Sequence, residues 1–146
     1  MFDRRVEDRT RQMEKAGSAA TSLADLAELL AREFALASRQ EHAWSLLVIE
    51  FWVHAGRDPA LRRRFAQRHD ALKAALARVM AETAARTGQR LTIAVDDVAT
   101  AATALANGLT LEGLTHPDTA SDKLLPTFAT IIMNGLTDRP GRGGRA

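Results

Sequence analysis

The sequence predicts an all-α protein of six helices that pairs with itself through a four-helix bundle built from its last two. Three observations carry this. Apolar residues recur at three- and four-residue spacing along nearly all of the chain, and strand-like alternation is confined to R-L-T-I-A-V at 90–95. The helical stretches are separated by short breaks with clear start and stop chemistry. The last two stretches are apolar on more than one side, and a two-fold dimer is the commonest way to bury such surplus faces.

The first helix covers roughly 2–16, with Phe2, Val6 and Met13 on one face and charges elsewhere. K-A-G-S-A-A-T breaks it. Ser22 and Asp25 form a variant of the capping box and open the second helix, 23–37, whose stripe is Leu23, Leu26, Ala27, Leu30, Phe34 and Ala37. S-R-Q-E is a connector. The third helix, 42–55, is apolar almost all round. It is therefore expected to be buried and central, ending at Gly56 in a left-handed cap.

Asp58-Pro59 is the strongest start signal in the chain, an N-cap followed by a proline whose missing N–H costs nothing in the first turn. The fourth helix runs from there to about Arg86, with the stripe Leu61, Phe65, Leu72, Leu76, Val79 and Met80, and T-G-Q-R ends it. The fifth covers 95–115, with Asp96 and Asp97 favourable in its first turn. T-H-P-D-T-A is a loop. The sixth covers 121–136, and Pro126 either kinks it or marks a later start. Residues 1–137 thus read as one helical domain and 138–146 as a disordered basic tail.

Composition narrows the chemistry. The chain has 146 residues, 46% hydrophobic and 26% charged, as expected of one globular domain. It has no Cys, which removes disulfides, thiolate nucleophiles and zinc–cysteine sites and suits a reducing cytoplasm. The pI is about 9.7 although the net charge is only +2, because without Tyr or Cys little titrates between His and Arg. That charge does not describe a nucleic-acid-coating surface, and R-R-R at 62–64 reads as a solvated face. No apolar run is long enough to span a membrane.

Two places carry unusual polarity. Glu50 and His54 share one edge of the apolar third helix. They read either as a self-satisfied pair or as a polar edge lining an internal pocket, and two groups are too few for a metal. His69 falls inside the apolar stripe of the fourth helix. It reads either as a satisfied core group or as a polar contact in a mostly apolar cavity shared with Trp44 and Leu47. No nucleophile, metal set or phosphate loop accompanies them, so no catalytic residue, cofactor or enzyme activity is expected. On the fifth helix Val98, Ala102, Leu105 and Leu109 form one face, and Thr103, Asn107, Thr110 and Leu114 a second, partly polar one. Val98, Ala102, Leu105 and Leu109, with Leu125, Phe128, Ile131 and Ile132 of the sixth helix, are the expected dimer contacts.

The order of elements resembles the C-terminal ligand-sensing and dimerisation domain of TetR-family transcriptional regulators. E-F-W-V-H-A-G-R-D-P-A-L-R-R-R-F (50–65), A-L-A-N-G-L-T-L-E-G-L (104–114), L-L-P-T-F-A-T-I-I-M-N-G-L (124–136) and F-D-R-R-V-E-D-R near the start carry the resemblance. It covers nearly the whole chain. The family's N-terminal helix-turn-helix, which reads bases in the major groove, has no counterpart here, so no sequence-specific DNA binding is expected of this chain alone. The resemblance implies the sensor half of a cytoplasmic repressor, active as a homodimer, that takes a small, largely apolar effector into a cavity between the first five helices. Trp44, Leu47, Phe51, Phe65 and Leu72 would supply apolar wall, and Glu50, His54, His69, Thr103 and Asn107 polar contacts. A buried Glu50 would favour a lipophilic cation. The rival reading is a helical interaction module with a solid core and no ligand.

Overall fold

The computed structural model describes residues 2–40, 42–116 and 123–138, without the side chains of Phe2 and Arg39. Its helices are α1 (Phe2–Ala19), α2 (Leu23–Gln40), α3 (His42–Arg57), α4 (Pro59–Thr87), α5 (Val95–Thr115) and α6 (Leu124–Leu136). The tail from Arg139 onward and the centre of the α5–α6 loop lie outside the described residues.

Start and stop chemistry sets most boundaries. Ser22 Oγ accepts from Asp25 N at 3.0 Å, while the Asp25 carboxylate accepts from Thr21 N at 2.8 Å, one residue earlier than in a reciprocal capping box. Asp58 accepts from the N–H groups of Ala60 and Leu61 and caps α4, with Pro59 at its first position. Gly88, at φ 67°, closes α4 in the left-handed region. Gly56 does not play that part. It is helical, α3 runs on to Arg57, and Asp58 makes the corner. Pro126 falls in the first turn of α6, where an absent N–H breaks no helical bond, so the later start is the one adopted. Residues 90–95 form no strand; an isolated bridge joins Leu91 to Thr137, and Thr92 N donates to Leu136 O at 2.8 Å. These contacts tie the beginning of α5 to the end of α6.

The bundle has two levels. At one end Ala16, Ala20, Leu23, Leu26, Ala27, Val79, Met80, Val98 and Met133 form the buried core. They come from the end of α1, the beginning of α2, the end of α4, the beginning of α5 and the end of α6. α6 packs against α2, α1 against α4, and α5 against α4. Two side chains from the end of α4 stitch this level together. Arg86 donates to the carbonyls of Gly17 and Ala20 at 2.6 and 2.8 Å, satisfying the last turn of α1. Gln89 Oε1 accepts from Leu23 N at 2.7 Å and does the same for the first turn of α2.

Gly17 sets how closely α1 approaches α4. A Cβ there would stand 2.6 Å from Val79 Cγ1. Gly17→Ala is expected to destabilise the fold: overpacking costs about 1–3 kcal/mol, more than the roughly 1 kcal/mol gained in helix propensity. Adding Val79→Ala should return part of that loss, and urea denaturation of both single variants and the double variant measures the coupling.

α3 is not the central helix that its composition suggests. Only Ala55 is buried, and Leu46, Leu47, Trp52 and Val53 are 39–54% exposed. It stands at the other level, against α4, α5 and the end of α2, as an outer wall. The helices that occupy the middle are α2, in contact with α1, α3, α4 and α6, and α4, in contact with α1, α2, α3 and α5.

Candidate ligand cavity

Beyond the packed end the same apolar stripes continue but no longer meet, and they line a partly open cavity of about 650 Å³. That size falls in the usual range of small-molecule sites, about 300–1,000 Å³. All six helices line it, not only the first five. α1 supplies Val6 and Met13, α2 Leu30 and Phe34, α3 Trp44, Val48 and Trp52, α4 Phe65, Leu72 and Leu76, α5 Leu105, and α6 Leu125 and Ile132.

Of the residues singled out from the sequence, Trp44, Phe65, His69, Leu72, Thr103 and Asn107 line the cavity, and Leu47, Glu50, Phe51 and His54 do not. Leu47 is exposed on the outer side of α3. Glu50 and His54 are exposed too, and no ion pair joins their side chains; the His54 Nδ1–H donates instead to the backbone carbonyl of Glu50 at 2.8 Å. With Glu50 in solvent, a cavity-facing carboxylate for a lipophilic cation is not supplied by that residue. Phe51 touches the wall from behind, its ring 6.0 Å from that of Phe65.

Trp52 takes the place expected of the Glu50–His54 edge. Its ring meets Phe65 edge-on at 5.9 Å and His69 edge-on at 6.2 Å, and His69 stacks on Phe65 at 6.1 Å. His69 is thus part of an aromatic wall. Burial, and then the Lys73 ammonium, hold its imidazole below the ordinary histidine pKa of 6.5, against a smaller opposite pull from Asp70. The folded state therefore binds fewer protons here than the unfolded chain. Stability from this site is fully present above the unfolded pKa and falls as the pH drops below it. His69→Phe is expected to flatten part of the fall in urea midpoint between about pH 7 and pH 5; an unchanged pH profile counts against a neutral, half-buried imidazole.

Charge enters the lining through Arg5, Arg9 and Arg68, with Glu33 as the acidic member. The Arg5 guanidinium lies 4.1 Å from the centroid of the Trp44 ring, and Arg68 Nε pairs with Asp3 at 2.9 Å. Arg5 and Arg9 escaped sequence reading because α1 looks like a solvated charged helix. A signal was present nonetheless: Val6, Arg9 and Met13 fall at the spacing of one helix face. Thr103 and Thr110 turn their hydroxyls back to the carbonyls of Ala99 and Ala106, presenting methyl groups beyond their own helix.

The residues expected to form a dimer face divide. Val98 is 4% exposed and belongs to the core, so it cannot meet a partner. Ala102 is half-buried on the cavity wall, and Leu109 is half-buried. Leu105, Leu125 and Ile132 line the cavity, and Phe128 and Ile131 are exposed outside it. Arg62, Arg63 and Arg64 are exposed. Among the described residues no three His, Asp or Glu side chains gather as a metal site, and no helix is long and apolar enough to cross a membrane.

Comparison with known proteins gives one family. The profile of the family described as BetI-type transcriptional repressor, C-terminal, matches residues 23–133. No curated protein and no solved structure matches the chain.

Proposed function

This chain belongs to the family of BetI-type transcriptional repressor C-terminal domains, and from that premise we propose that it is the effector-sensing and dimerisation part of a TetR-type regulator rather than an enzyme. The observation that carries the reading is the cavity of about 650 Å³ lined by all six helices. Small-molecule sites are mostly apolar clefts or cavities of about 300–1,000 Å³ with a few polar groups, and this one has that size and lining. Its chemistry suits a small, mostly apolar effector with a few polar groups, met by His69, Asn107 and the arginines of α1 and α4.

Signalling would run through α1. Its C-terminal half is fixed by buried Ala16, by Gly17 against Val79, and by Arg86 on the carbonyls of Gly17 and of Ala20 just beyond the helix. Its N-terminal half is held by the exposed Asp3–Arg68 pair and the Arg5–Trp44 contact, and it lends Val6, Arg9, Gln12 and Met13 to the cavity. An effector therefore touches the half of α1 that carries these exposed polar contacts. In a regulator with a DNA-reading head ahead of α1, such a contact shifts the head only if the effector prefers one of two α1 positions.

Trp44 and Trp52 both line the cavity and serve as reporters. Titration with a panel of uncharged, cationic and anionic hydrophobic ligands is expected to give saturable changes in their emission for at least one class. Flat responses across the whole panel would contradict the sensor reading.

A further inference from the structure

The charge in the cavity lining is one-sided. Among the described residues it comes from Arg5 and Arg9 of α1, Arg68 of α4 and Glu33 of α2. The three arginines are half-buried and Glu33 is exposed, so water screens the carboxylate more than the guanidiniums. Asp3 pairs with Arg68 at 2.9 Å but is not a lining residue, and its side chain is 74% exposed. An ion pair that open to water is weak. His69 adds no charge at neutral pH, because burial and then Lys73 hold its pKa below 6.5. The arginines also share one region. Arg5 and Arg9 stand one turn apart on one face of α1. The Asp3 pair brings Arg68 to the same half of that helix, and the Arg5 guanidinium lies 4.1 Å from the centroid of the Trp44 ring. Met80, Val98 and Met133 line the cavity too, but they belong to the buried core at the packed end. The lining is thus cationic along the N-terminal half of α1 and apolar where it meets the core.

We infer that the effector is an amphipathic anion, an apolar tail ending in a carboxylate, with its head on Arg5, Arg9 and Arg68 and its tail toward Met80 and Met133. The inference rests on the sensor reading given above and adds the charge of the ligand to it. A guanidinium presents its N–H donors in a planar fork that matches a carboxylate, and such charge-assisted bonds are roughly twice as strong as neutral ones. Half-buried beside apolar walls, these arginines attract an anion more strongly than they would in open water. A hydrophobic cation meets the opposite conditions. It faces like charge, and aromatic faces are what such cations seek, yet the Trp44 ring already carries Arg5. The carboxylate of the ligand also competes with Asp3 for Arg68. Binding therefore bears on the ion pair that joins the beginning of α1 to α4.

The test uses the whole chain and the uncharged dye N-phenyl-1-naphthylamine, followed by energy transfer from Trp44 and Trp52, which both line the cavity. Decanoate, decan-1-ol and decyltrimethylammonium share one alkyl tail and compete with the dye at neutral pH. Decanoate is expected to displace it at about a tenfold lower concentration than the alcohol, with the cation weakest of the three. Added salt is expected to narrow the margin. Arg9→Gln with Arg68→Gln is expected to bring decanoate down to the level of the alcohol and to leave dye binding unchanged. Asp3→Asn removes the exposed rival carboxylate and is expected to tighten decanoate a few-fold without altering the alcohol. That variant and the ranking in the unaltered protein decide the matter should the arginine variant fail to fold. An alcohol or a cation that displaces the dye as well as decanoate does overturns the proposal and leaves the sensor reading standing. Decanoate binding that neither variant changes overturns it in the same way. No saturable response to the dye or to any of the three overturns the sensor reading and this proposal together.

Discussion

Ala106→Trp is expected to weaken binding of N-phenyl-1-naphthylamine, and of any effector, by about 100-fold or more, the equivalent of some 2.7 kcal/mol. Ala106 lies half-buried on the α5 wall of the cavity, one helical turn from Thr103 and next to Leu105 and Asn107. An indole placed there enters the space that Trp44, Trp52 and Phe65 also line and takes contacts a ligand would make. The substitution should not cost stability. It adds dispersion contacts where the cavity lining now has none, and a cavity-filling change commonly gains about 0.5–2 kcal/mol. Loss of binding with an equal or higher melting temperature is the expected pair of results. Undiminished binding by a folded variant places the ligand elsewhere.

The second large effect separates the helix that forms the core from the helix that only looks as though it should. Leu26 of α2 is fully buried, at 0% exposure, in the cluster with Val79, Met80, Val98 and Met133. Leu26→Ala removes its branched end at a point where four helices meet, and is expected to cost about 2–5 kcal/mol. Val53 lies in the greasiest stretch of the sequence but is 54% exposed, so Val53→Ser is expected to change stability by less than about 0.5 kcal/mol. Urea denaturation of the two variants side by side checks both. A costly Val53→Ser change would mean that this face of α3 is covered rather than exposed.

Much of the fold was legible. Each of the six helices is where its apolar period places it, because α-helix formation is governed by neighbours three and four residues away. Local chemistry marked the sharp boundaries: Asp58-Pro59 at the head of α4 and Ser22 with Asp25 at the head of α2. Gly56 misled because glycine permits a left-handed cap without requiring one. Here α3 runs on through Gly56 to Arg57, and the chain turns at Asp58, the N-cap of α4.

The cavity was half legible. His69, Phe65 and Leu72 of α4, Trp44 of α3, and Thr103 and Asn107 of α5 were found because each interrupts or continues a stripe that has to face inward. Glu50, His54, Leu47 and Phe51 were misplaced for a single reason. On a helix apolar all round, periodicity has no phase to report, and the polar edge was turned toward the cavity when it belongs in water. Trp52, Arg5 and Arg9 were missed for the complementary reason, since rotating α3 inward at Trp52 and α1 inward at Arg9 takes neighbours that lie far off in sequence.

By itself the sequence determined an all-α chain, its helix count and caps, the amphipathic stripes, and the absence of thiol chemistry. All of these depend on residue type and on spacing within about one helical turn. The tertiary structure alone decided that α2 and not α3 is central, that the stripes close into a core at one end and part around a cavity at the other, and that α6 lines this cavity as well as facing outward. Those outcomes depend on which apolar face meets which. Apolar attraction is non-directional, so the choice among apolar faces is made by shape: by Gly17 admitting Val79, by Arg86 and Gln89 holding the α1–α2 turn, and by the tie between Leu91 and Thr137 from which α5 and α6 diverge.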